Sequence, residues 1–170
     1  MTLEERFKEI TTLVFDVDGV FTDGNLTITQ NDATRTFNVR DGYAVQMAHQ
    51  CGYGLAVISG GKQESIVSRM QALGIRNVYI GVGTAEKPRV LAAFLEAHQI
   101  APEKVLYMGD DIPDLLVMND LPVLACCPAD AVAEVRERAD YSTAAPGGRG
   151  AVREVIEKVM KARGQWMKKF

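Results

Sequence analysis

Short apolar, β-branched runs alternate with segments of helical period along almost the whole chain, and few folds accept such an alternation. The runs lie at 12–17, 54–58, 78–80, 104–108 and 122–125. Between them are amphipathic stretches at 42–50, 62–73, 87–98, 112–119 and 131–139, with a closing helix at 150–163. Strands joined through helices by short connections predict an α/β fold, a parallel sheet covered on both faces. One segment departs from the pattern. Residues 26–29 and 34–37 are β-prone and flank Gln30-Asn31-Asp32-Ala33, which predicts a β-hairpin over about residues 25–38, projecting from the connection after the first strand. At 170 residues a single domain, 1–170, is expected, ending in a helix and tail over about 147–170.

Composition excludes several classes. Lys and Arg number 19 against 22 Asp and Glu, a net charge of −3, whereas a nucleic-acid binder carries a basic excess. No apolar stretch reaches membrane-spanning length, and the charged segment 1–7 lacks a signal peptide's apolar core. A cytoplasmic protein is expected, without nucleic-acid or membrane partners. Cys51, Cys126 and Cys127 are odd in number, as befits reduced thiols rather than a disulfide framework. His49 and His98 lie near helix C-termini, where a polar side chain is favourable anyway, and neither is assigned a catalytic role.

The chemistry concentrates at strand ends. The first run leads into Asp16-Val17-Asp18-Gly19, and the fourth into Gly109-Asp110-Asp111-Ile112-Pro113-Asp114. In an open α/β sheet, ligands bind outside the carboxyl ends of the strands. Carboxylates grouped after a buried strand are costly without a compensating cation. Asp111 or Asp114 could instead cap the following helix, but capping does not account for the whole set. Two acidic clusters converging on one edge make a hard oxygen-ligand site suited to magnesium. Ser59 ends another strand and precedes Gly60-Gly61, where hydroxyl and backbone N–H groups can face an anion. Lys87 starts a later helix. Either residue alone would be ordinary surface, but the order Asp-x-Asp, Ser, Lys, Gly-Asp-Asp is specific.

Magnesium, a lysine and hydroxyl donors around a carboxylate suit phosphoryl transfer, which needs positioning and charge neutralisation. Asp16 is the expected nucleophile, splitting ester hydrolysis into formation and hydrolysis of an acyl phosphate. Asp18 is the expected acid/base.

These residues resemble, in order, the four signatures of the haloacid dehalogenase superfamily of phosphatases. The resemblance implies a three-layer Rossmann-like fold, an aspartyl-phosphate intermediate, and magnesium held by the Asp16 side chain, the Asp18 backbone carbonyl and Asp110. Ser59 and Lys87 join the catalytic set, with Gly60, Asp111 and Asp114 in support. A narrower match covers nearly the whole chain. Segments 18–24, 37–43, 101–103, 139–141 and 147–154 are similar to the 3-deoxy-D-manno-octulosonate 8-phosphate phosphatases, which release phosphate from an eight-carbon keto-sugar acid during lipopolysaccharide synthesis. That group implies substrate contacts from Asn38, Val39, Arg40, Asp41, Gly42, Arg69 and Arg149, besides Asp18 and Lys87. Gly61 and Gln46 stand where relatives often carry arginine, which keeps a nine-carbon keto-sugar acid 9-phosphate open as the alternative substrate. A more distant alternative is a receiver-like phospho-acceptor module, whose phosphorylated Asp usually follows the third strand.

The spacing leaves no room for a cap domain: 42 residues separate Asp16 from Ser59 and 27 separate Ser59 from Lys87, all consumed by the expected elements. An uncapped site is open to water, so neighbouring subunits are expected to enclose it, with the hairpin at the interface and 147–170 near the site. The capless relatives are tetramers, and a homotetramer is expected.

Overall fold

The computed structural model describes residues 1–168; the last two residues of the expected C-terminal tail lie outside the described residues. Helix α1 (Leu3–Glu9) leads into β1 (Thr12–Phe15), followed by a hairpin of β2 (Thr27–Ile28) and β3 (Ala33–Thr34). Then come α2 (Val39–Gln50), β4 (Gly54–Ile58), α3 (Glu64–Ala72), β5 (Asn77–Tyr79), α4 (Lys87–Ala97) and β6 (Val105–Met108). The chain continues through α5 (Ile112–Asp120), β7 (Leu124–Cys127), α6 (Ala133–Arg138), β8 (Tyr141–Ser142) and α7 (Ala151–Ala162). The main sheet runs in the order β5-β4-β1-β6-β7-β8, parallel throughout, as the alternation predicts. The chain enters at β1, winds outward through β4 and β5, and returns to build β6 to β8 on the other side. The reversal falls between β1 and β6, where a crevice opens in such sheets.

Why this sheet is buried on both faces is visible residue by residue. Leu13 and Phe15 of β1, Leu55 and Val57 of β4, Leu106 and Met108 of β6, and Leu124 and Cys126 of β7 join one core. Their neighbours Val14, Ala56, Ile58, Val105, Tyr107, Ala125 and Cys127 join the other. The period-two pleat therefore sends alternate side chains to opposite layers. Helices α1, α2, α3 and α7 close the first core, and α4, α5 and α6 the second. Cys126 and Cys127 are free thiols buried one on each side.

Two elements differ from the sequence reading. Residues 3–9 form α1 because Thr2 and Glu5 make a reciprocal capping box, Glu5 N–H donating to Thr2 Oγ1 (3.2 Å) and Thr2 N–H to Glu5 Oε2 (2.7 Å). The two-residue strand β8 pairs with β7 and extends the sheet by one edge. The hairpin is present but shorter than expected, paired only at Thr27↔Thr34 and Ile28↔Ala33.

Helix α7 buries Val152, Val155, Ile156, Val159 and Met160, an apolar stripe at helical spacing. Its N-terminus begins at Gly150, which has no side chain to cap it. Asp41 of α2 does so instead, accepting N–H bonds from Gly150 (3.3 Å) and Arg153 (2.9 Å). Burial raises the Asp41 carboxyl above its ordinary range while these two N–H donors oppose the shift. Truncating Ile156 to Ala leaves a void in this packed stripe and is expected to cost about 2–5 kcal/mol. Urea unfolding of the variant against wild type measures the difference.

Candidate active site

The carboxyl end of β1 turns sharply. After Phe15 the chain leaves the sheet, and the N–H groups of Val20, Phe21 and Thr22 all point back at the Val17 carbonyl (3.2, 2.9 and 3.3 Å). Thr22 Oγ1 accepts from Gly19 and Gly24 N–H, both at 3.2 Å, and so tightens the loop. Gly19 adopts φ +80°, and a Cβ there would lie 1.9 Å from Asp110 Oδ2. Only glycine lets the β1 loop and the β6 loop approach this closely.

Asp16 is 8% exposed and Lys87 2%, while Asp114 is fully buried. Lys87 Nζ donates to Asp16 Oδ2 and to Asp114 Oδ1, each at 2.8 Å. Asp114 also accepts from Tyr107 Oη (2.6 Å), Asp110 N–H (3.0 Å) and Asp111 N–H (3.3 Å), so both its oxygens are occupied. Asp111 caps α5 through its own side chain. Thus one helix start holds three aspartates in three situations: Asp110 with its carboxylate beside the β1 loop, Asp111 capping, and Asp114 as a buried anchor for Lys87.

Burial, and after it the charge of Asp114, raises the Asp16 carboxyl well above the ordinary range, with Lys87 opposing. Burial and then Asp114 and Asp111 push Asp110 up to about 7. Burial lowers the Lys87 pKa, but Asp16 and Asp114 outweigh burial and raise that pKa above its ordinary value. One lysine therefore faces more carboxylate charge than it can balance. Oxygens of Asp16, Asp110 and Asp114 lie within 4.8 Å of one another. That oxygen donor set and its excess negative charge fit a magnesium ion. Each Asp114 oxygen accepts two bonds, whereas each Asp16 oxygen accepts one, from Val17 N–H (2.7 Å) and Lys87, so Asp16 and Asp110 keep the lone pairs that could hold it.

These groups face a cavity of about 260 Å³, lined among others by Asp16, Asp18, Gly60, Gly61, Lys87, Asp110 and Asp111. A larger open groove of about 530 Å³ lies against α1 and α7, where Leu3, Phe7, Tyr141 and Lys158 offer no buried carboxylate. Ser59 is fully buried behind the two glycines, its Oγ accepting Gly61 N–H at 3.1 Å, which leaves its own proton to donate.

Asp18 and Lys87 line the cavity, whereas the other residues expected to touch substrate lie elsewhere and none of them lines it. Asn38 caps α2 by accepting from Arg40 and Asp41 N–H (2.8 and 3.4 Å). Asp41 is committed to α7. Val39 and Arg40 are exposed, as is Arg149 on the glycine turn before α7. Gly42 is buried against Arg69, where a Cβ would lie 2.7 Å from Nη2, and the Arg69 guanidinium stands 6.0 Å from the Phe37 ring. The Arg69 Nε is buried without a partner among the described residues. That glycine turn does approach the site: a Cβ on Gly147 would meet the Gly19 carbonyl at 1.8 Å. Two side chains at the site escaped the sequence reading, Tyr107 inside an apolar strand and Arg35 in the hairpin.

Residues 34–118 match the haloacid dehalogenase-like hydrolase family. The 3-deoxy-D-manno-octulosonate 8-phosphate phosphatase KdsC of Escherichia coli K12 is 40% identical over 161 residues, 94% of this chain and 84% of that protein. The chain belongs to this phosphatase family. Among solved structures, the 3-deoxy-D-manno-octulosonate 8-phosphate phosphatase of Yersinia pestis superposes with a TM-score of 0.92 at 34% identity, covering 98% of this chain and 89% of that one. The Moraxella catarrhalis phosphatase, solved with magnesium, phosphate and KDO, gives 0.90 at 30% identity, over 96% and 92% of the two chains. The α/β sheet without a cap is thus the architecture of the family, as expected.

A carboxyl whose pKa is raised by folding binds a proton that the unfolded chain releases. With Asp110 moved from 3.8 to about 7, metal-free stability falls as pH climbs through that window and levels above it. Magnesium takes only the ionised ligand. Excess magnesium is therefore expected to raise the melting temperature by several degrees at pH 8 and hardly at all at pH 5.5. Thermal melts with and without the ion check this, and an equal gain at both pH values contradicts it.

Proposed function

We propose that the chain hydrolyses 3-deoxy-D-manno-octulosonate 8-phosphate, a step in making the sugar of lipopolysaccharide, through an aspartyl-phosphate on Asp16. The observation carrying this reading is the placement of Lys87 between Asp16 and the buried Asp114, with Asp16, Lys87 and Asp110 opening on one cavity. Family membership and the relatives named for this reaction support the substrate class.

The Asp16 carboxylate attacks phosphorus, and the bond to the sugar oxygen breaks. Asp18, on the cavity wall two residues on, gives its proton to the departing alkoxide. It then takes a proton from the water that attacks the acyl phosphate, releasing inorganic phosphate and restoring both aspartates. Lys87, fixed by Asp114, and the Ser59 hydroxyl hold the oxygens of the transferring group. Magnesium, when bound, neutralises charge on those oxygens and on the carboxylates beside them.

The same reading places Asn38, Val39, Arg40, Arg69 and Arg149 at the substrate's far end, supplied across an interface. The open site and the exposed apolar side chains Ile28 (70%), Val39 (76%) and Tyr43 (48%) on the hairpin and early α2 support a cytoplasmic homotetramer that covers them. No helix among the described residues is long and apolar enough to cross a membrane. Sedimentation tests the assembly; a fully active monomer overturns it.

Asp16→Asn is expected to lower turnover by about 10³-fold or more, since loss of a covalent nucleophile removes the whole route. Phosphate release measured with magnesium checks this, and surviving turnover would shift the nucleophile elsewhere. The eight-carbon ester is expected to exceed a nine-carbon keto-sugar acid 9-phosphate in kcat/KM. The reverse order assigns the site to the longer substrate.

A further inference from the structure

Arg35 follows β3 at the base of the hairpin, and its side chain is only 3% exposed. Its Nε and Nη2 donate to the two oxygens of Asp18 at 2.6 and 3.0 Å, a bidentate fork, and Nη1 donates to Gln63 Oε1 at 2.8 Å. A buried guanidinium needs such partners to offset its desolvation. The space beside it is crowded: a Cβ on Gly61 would lie 2.7 Å from Arg35 Nη2 and 2.6 Å from Ile66 Cδ1. Asp18 lines the cavity and Arg35 does not, so the arginine sits behind the carboxylate and reaches the substrate only through it.

We propose that Arg35 is the positioning residue of the acid/base Asp18, locking its carboxyl plane toward the leaving-group oxygen. The inference rests on the phosphatase reading with Asp18 as acid/base. It gives position 61 a meaning other than a lost cation, because a positive group does stand there, delivered from the hairpin. The hairpin is thereby tied to the chemistry by one side chain, and its two short strands set where that side chain starts.

A proton donor matters for an alkoxide leaving group and little for p-nitrophenolate, which leaves unaided. In Arg35→Met, kcat on the sugar-acid 8-phosphate is expected to fall roughly 10- to 100-fold with KM nearly unchanged, part of the usual contribution of general acid catalysis. The kcat on p-nitrophenyl phosphate should change by less than about threefold. Gln63→Leu, which removes the acceptor of Nη1, should give a smaller loss of the same selectivity, and the double variant should be no worse than Arg35→Met alone. Arg35→Lys, charged but unable to make the fork, should recover only part of the turnover. A wild type that hydrolyses neither ester overturns the phosphatase reading and this assignment with it. A working wild type whose Arg35→Met variant loses both esters equally, or loses neither, overturns the assignment alone.

Discussion

Lys87 carries its charge to a place where it is 2% exposed, and it stays charged because Asp16 and Asp114 each stand 2.8 Å from its Nζ. Desolvating an ammonium and a carboxylate costs several kcal/mol per ion, repaid only with good geometry and the remaining lone pairs satisfied. Asp114 meets that condition, with Tyr107 Oη and two backbone N–H groups filling its other positions. Because those N–H groups belong to Asp110 and Asp111, the same carboxylate shapes the loop that places Asp110. The lysine, the buried anchor and the metal-facing carboxylate are therefore one unit. Disturbing any of them moves the others.

That unit explains why three neighbouring aspartates behave differently. Spacing alone cannot separate Asp110, Asp111 and Asp114; hydrogen bonding can. Asp114 has no free oxygen, Asp111 serves the first turn of α5, and Asp110 remains raised to about 7 by burial and by its acidic neighbours. The Asp114 carboxylate lies within reach of a cation by distance, yet its saturation with donors makes it the group that orients Lys87.

The sheet was legible in the sequence because buried parallel strands must be apolar on both faces, and each of the five runs lies on a strand of the structure. Strand ends were legible for the same reason: Asp16, Ser59 and Asp110 interrupt apolar runs where packing would not put them. What stayed hidden depends on contacts distant in sequence. Arg35 reads as an ordinary hairpin residue until the fold sets it against Asp18, 17 residues back, and Gly61 reads as an absent arginine until Arg35 is seen filling its space. Tyr107 hides inside an apolar run because its hydroxyl is the only polar part of it. Asn38 and Asp41, matched by the family resemblance to substrate contacts, also have a duty their positions do not reveal: their side chains cap α2 and α7. A polar residue at a helix start satisfies backbone donors first, and no pattern of residue types distinguishes the two uses.

The glycine turn before α7 joins these threads. Asp41 fixes the start of α7 from within α2, and the turn immediately before it packs on the β1 loop so closely that a Cβ on Gly147 would meet the Gly19 carbonyl at 1.8 Å. Gly19 in turn faces Asp110 across a gap that admits no Cβ. A displacement of α7 is therefore transmitted through backbone contacts to the loop bearing Asp16 and Asp18, and from Gly19 to the Asp110 carboxylate packed against it. The segment 147–150 is thus part of the support of the carboxylates that line the cavity, although its one long side chain, Arg149, is exposed. The segment does two separable things: its glycines pack on the β1 loop from within, and its arginine is left exposed.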